Sequence, residues 1–130
     1  MKSKVIWCNK GWFPVHFGFC PDKKAWAREM RRMGIKGEKY PTSDGRCSTF
    51  ESGGKVCAIV TINKRVDDKD GNGIIGLIIH ESVHVWQLLM ENIGESNPSS
   101  EFEAYAIQAI SQELIEAYSE SGRFVEGGKK

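Results

Sequence analysis

A chain of 130 residues, 40% hydrophobic and 27% charged, has room for one core of ordinary size, which excludes a disordered polypeptide and argues against a second domain. The first ten residues hold too few consecutive apolar side chains for a signal-peptide core or a membrane span, so the chain is expected to be cytoplasmic and without membrane contact. The formal net charge of +1 hides an asymmetry: seven Lys and Arg residues fall between positions 21 and 40, whereas the last third is rich in glutamate.

The opening segment is aromatic and is punctuated by Gly11, Pro14, Gly18 and Pro21, a pattern of short strands and turns. From Asp22 to Met33 the pattern turns helical, with Ala25, Trp26, Met30 and Met33 on one side, and Gly34 ends it. The basic segment Lys23–Lys39 lies on and after this helix. By itself it has the composition of a solvated face, and it is not interleaved with aromatics as a single-strand nucleic-acid binder would require. Tyr40–Gly45 reads as a turn. Arg46–Glu51, Ser52-Gly53-Gly54 and Lys55–Asn63 then read as a β-hairpin. In its second strand Val56, Ala58, Val60 and Ile62 alternate with Cys57, Ile59 and Thr61, so both faces are expected to be covered.

Asp67–Gly73 is a polar, glycine-rich connector. Asp68, Asp70 and Asn72 copy the first half of an EF-hand loop, but its twelfth position is Ile79 where a bidentate glutamate is required, so the segment reads as a turn leading into a helix. That helix runs to about Gly94. A second helix follows Asn97-Pro98-Ser99-Ser100, with Pro98 suited to its first turn, and reaches about Tyr118. The four cysteines form no Cys-x-x-Cys pair, which removes zinc-ribbon and thioredoxin-like readings and leaves free thiols as the expectation. Trp26 and Trp86 stand among aliphatic residues at helical spacing and read as core.

The chemistry concentrates in His80-Glu81-Ser82-Val83-His84. On a helix, residues four apart share a face one turn apart, so both imidazoles can reach one ion, and Glu81 is placed to hydrogen-bond the water that the ion activates. Gly73 and Gly76 fall on roughly the same side and leave room for another chain to approach. A catalytic zinc site needs a third protein ligand. The second helix offers Glu101 and Glu103, and periodicity favours Glu103, which continues the inward stripe of Ile107, Ile110 and Leu114. The alternative for Glu103 is a capping box with Ser100.

These residues resemble the gluzincin metallopeptidases in compact form: a His-Glu-x-x-His helix, a short connection, and a second helix carrying Glu103-Ala104, with eighteen residues between His84 and Glu103. The stretch Gly76–Gln112, with the aromatic segment Trp7–Gly34, is also similar to a family of small uncharacterised proteins from tailed phages and prophages. The resemblance implies an α+β fold in which a small, mostly antiparallel sheet packs on a zincin-like pair of helices, as a single domain over residues 1–130. It implies one zinc ion held by His80, His84 and Glu103, with Glu81 as general base, and a peptide or protein substrate aligned along strand Val56–Ile62. The implied activity is zinc-dependent peptide hydrolysis, in the host cytoplasm if the protein is phage encoded. His16, Tyr40, Arg46 and Tyr105 are candidate donors to an oxyanion. The competing reading is a non-catalytic module, either zinc-containing in particle assembly or binding a host factor or nucleic acid through Lys23–Lys39.

Overall fold

A computed structural model describes residues 3–8, 13–67 and 70–123. In chain order the elements are β1 (Ile6–Cys8), β2 (His16–Cys20), α1 (Lys23–Met33), β3 (Gly45–Ser52), β4 (Lys55–Ile62), α2 (Gly71–Ile93) and α3 (Ser100–Glu120). The strands form one sheet in the order β1-β2-β4-β3. β1 pairs antiparallel with β2, and β3 with β4, while β2 and β4 run parallel. The fold is therefore α+β with a mostly antiparallel sheet, as expected.

Each boundary has a local cause. Gly53 and Gly54, at φ 59° and 79°, make the two-residue turn that joins Ser52 to Lys55, a backbone path that residues with a Cβ resist. Asp22 caps α1 by accepting from the Ala25 N–H at 2.9 Å, and Gly34 at φ 73° closes it. Asp70 caps α2 through the Gly73 N–H at 2.8 Å. The Asp67 carboxylate accepts from the Tyr118 hydroxyl at 3.0 Å and from Arg123 at 2.7 Å. Both acids thus serve the fold; of the EF-hand-like residues Asp70 is a helix cap, and Asp68 lies outside the described residues. α3 begins one residue earlier in its capping than a box with Ser100 would need: Ser99 accepts from the Phe102 N–H at 3.1 Å, Pro98 precedes the cap, and Glu103 is left to face its neighbours.

The sheet is covered on both sides. Phe17, Phe19, Ala58, Val60 and Ile62 face α2 and α3 in the larger core; Cys20 and Ile59 face Ala25, Trp26 and Met30 of α1 in the smaller one. Trp26 and Trp86 are core residues, and Cys20, Cys47 and Cys57 are free thiols. α2 has the length and apolarity of a membrane span, but its apolar arc is occupied by the sheet and by α3. α2 lies beneath β3 and β4, and α3 beneath β1 and β2.

Arg123, just beyond α3, ties that helix to the sheet. Its side chain is only 7% exposed, and it donates to the Ile62 carbonyl at 2.6 Å and the Pro21 carbonyl at 3.2 Å, pairs with Asp67, and stacks on Tyr118. Replacing it strands two carbonyls and a half-buried carboxylate. Arg123→Ala is expected to lower unfolding stability by about 2–4 kcal/mol, read from urea denaturation with an unchanged slope.

Candidate metal centre

Helical geometry divides α2 into three arcs. Ile74, Ile78, Val85 and Leu89 point into the large core, His80 and His84 are exposed, and Glu81 stands at the boundary between them. Because α2 lies under the edge strand β3, that boundary opens as a groove between helix and strand. It consists of two adjoining hollows of 650 and 460 Å³ that share Gly45, His80 and Glu81. Gly73 and Gly76 line the first, so the expectation that these small residues leave space is met. Arg46, Cys47 and Thr49 of β3 line the second, opposite His84 and Gln87.

The two imidazoles stand one helical turn apart on the exposed face of α2. Their ring centroids are 5.0 Å apart. Two imidazole nitrogens at about 2.0–2.1 Å from one zinc ion, at a near-tetrahedral angle, would put the centroids about 5 Å apart. His84 Nδ1 lies 3.0 Å from Gln87 Oε1. With Nδ1 protonated it donates to that amide and leaves the Nε2 lone pair facing outward, the orientation that a neighbouring acceptor commonly imposes on a metal-binding histidine. These two residues therefore fit a zinc ion as ligands.

Glu81 is 4% exposed. A Cβ at Gly45 would stand 3.0 Å from its Oε2, so the carboxylate rests against bare backbone of β3. Among the described residues no hydrogen bond to this carboxylate is formed. Burial raises its pKa, and the charges of His80, His84 and Arg46 oppose the rise without cancelling it. An acid in this state is a stronger proton acceptor than a solvated one and has an unused lone pair for a donor in the groove.

Glu103 is not brought to the pair. Its Oε2 accepts from the Trp86 indole N–H at 2.8 Å. At 100° per residue, Trp86 lies about 140° round α2 from the midpoint of His80 and His84. The inward stripe of α3 was read correctly, but what it faces is the α3 flank of α2 and not the histidine flank. Glu101 lies in the exposed first turn. Among the described residues no group of three His, Cys, Asp or Glu side chains is positioned to hold a metal. Of the three residues expected to bind a metal, the groove brings together only His80 and His84.

Two further expectations change. β4 cannot align a substrate strand, because it is paired on both sides; the free edge beside the groove belongs to β3. Of the four oxyanion donors, only Arg46 lines the groove. Tyr40 packs against Trp26 across the sheet, His16 borders a different cavity, and Tyr105 is 69% exposed on α3. Gly45, Cys47 and Gln87 were missed. Gln87, three residues after His84 on the same face, could have been found by spacing; the two β3 residues could not, because nothing local pairs that strand's edge with α2.

Cys47 lines the groove, but burial and then the Glu81 charge push its thiol up to about 12. This removes a cysteine nucleophile from the site. Alkylation of native protein at pH 8 should leave Cys47 unmodified under conditions that modify it fully in urea, as read by peptide mass mapping. Comparison of the chain with family models, with curated proteins and with solved structures finds no match.

Proposed function

We propose that the chain is a zinc-dependent hydrolase of amide bonds, with His80 and His84 as metal ligands and Glu81 as the general base. The observation that carries this reading is the carboxylate of Glu81: 4% exposed, without a hydrogen bond among the described residues, and adjacent to an exposed histidine pair whose rings are 5.0 Å apart. A protein keeps such a group against its desolvation cost when the group serves chemistry. Bound to the pair, zinc would supply a Lewis acid that brings the pKa of a water towards about 7 and polarises a carbonyl.

Glu81 would accept the proton of the attacking water from the groove side and return it to the leaving amine. Arg46 borders the groove, but its Nε donates to Ser48 Oγ at 3.3 Å on the other face of β3, so only its remaining N–H groups would be available to an oxyanion. An extended peptide would lie along β3, whose outer backbone groups are unpaired within the sheet, and would be held by main-chain hydrogen bonds. A side chain at Gly45 would press on the Glu81 carboxylate, which would have to shift by a few tenths of an ångström to admit it. The third protein position of a catalytic zinc site is not assigned to Glu103 in this reading, because that carboxylate is committed to Trp86. The relationship to gluzincins and to phage or prophage proteins rests on sequence resemblance alone and is part of the proposal.

The test is the metal content of untagged protein together with hydrolysis of a peptide library. Zinc should be retained by wild type, Glu81→Gln and Glu103→Ala, and lost by His80→Ala and His84→Ala. Hydrolysis should fall by at least about a hundredfold in Glu81→Gln. Absence of zinc from wild type after metal addition would overturn the reading, and loss of zinc in Glu103→Ala equal to that in His84→Ala would restore the three-ligand site.

A further inference from the structure

On the other face of the sheet a separate cavity of 870 Å³ opens between α1 and the edge strand β1. This lies within the range of about 300–1,000 Å³ that small-molecule sites occupy. Its rim is cationic: Arg28 and Arg32 of α1, Lys55 of β4 and Lys4 of the leading segment border it, with His16 of β2. Two acids also border it, Glu29 and Glu120. Glu29 is already engaged, accepting from Arg32 Nε at 2.7 Å, so Arg28, Lys4 and Lys55 remain in excess over Glu120.

The wall of the cavity is apolar. Trp7 is 37% exposed, and its indole rests on the bare backbone of Gly18, where a Cβ would stand 2.9 Å from the ring. Val5, Met33 and Cys57 continue the apolar surface. A large exposed indole on a strand edge, backed by glycine and ringed by cations, matches a ligand that has both a planar ring and anionic groups. An acidic peptide would use the charges and leave the indole and the apolar wall in water.

We propose that this cavity binds a phosphorylated nucleobase, with the base stacked on Trp7 and its phosphate held by Arg28 and Lys55. Stacking on an aromatic side chain and neutralisation of phosphate by Arg and Lys are the two interactions common to free nucleotides and to single strands. The basic helix α1 contributes only the second, and the first comes from β1, far away in sequence. The site is independent of the histidine groove, which lies on the opposite sheet face.

The experiment is calorimetric titration of the full chain with thymidine 5′-monophosphate and with a short oligothymidylate, at low and moderate salt. Saturable binding of at least one is expected, weakened about fivefold to a hundredfold by Trp7→Ala and largely preserved by Trp7→Phe, which keeps a stacking face and reports that the fold is intact. Arg28→Glu and Lys55→Glu should weaken binding and flatten its salt dependence, and His84→Ala should leave it unchanged. Equal affinity for both ligands identifies the free nucleotide as occupant; binding of the oligomer alone identifies a strand. Failure of both ligands to saturate, or binding that ignores Trp7→Ala and is matched by polyglutamate, overturns the proposal.

Discussion

The structure depends on β4 being buried on every side. It is hydrogen-bonded to β2 and to β3, and its alternating residues enter two different cores. Ala58, Val60 and Ile62 require the α2 and α3 layer, and Ile59 requires α1. A strand so placed must be continuously apolar, and Lys55–Ile62 is nearly so after its first residue. Everything of functional interest then lies at the margins of this arrangement. α2 lies under β3 and β4, so its outer flank meets the free edge of β3; α1 leaves the β1 side of the opposite face uncovered, so a cavity forms there.

Glu81 is where local rules conflict. It stands at the inner wall of the groove, its carboxylate has no hydrogen-bond donor among the described residues, and burial raises its pKa. Other acids are handled differently: the comparably buried Glu29 binds Arg32, and the more exposed Asp67 and Asp22 are also matched, Asp67 by Tyr118 and Arg123, Asp22 by the α1 N-terminus and Ser3. Against that pattern a carboxylate unmatched among the described residues, beside two neighbouring imidazoles, is the local inconsistency that functional sites characteristically carry. The two cavities also divide the chemistry. One combines histidines, a carboxylate and a strand edge; the other combines cations with an exposed indole.

Much was determined by the sequence alone, because it depends on interactions within a few residues. The helix limits follow from Asp22, Gly34, Asp70, Gly94 and Ser99, each acting on backbone groups within one turn. The hairpin follows from Gly53-Gly54, and the two-sided burial of β4 from its composition. That His80 and His84 are neighbours on one face is a property of any helix that contains them four residues apart.

What only the tertiary structure decided is which helix flank meets which neighbour. Periodicity showed that Glu103 points inward on α3, but a residue pointing inward can meet any side of the adjacent helix. Rotation of α3 about α2 places it at Trp86, and that rotation is set by long-range packing on the sheet. The same holds for the edge strand. The sequence pointed to β4 as the strand that would align a peptide, but the parallel docking of β4 beside β2 leaves the free edge to β3. Trp7 and Arg28, far apart along the chain, border one cavity because β1 and α1 sit on the same side of the sheet, a placement fixed by the fold as a whole and encoded in no local pattern.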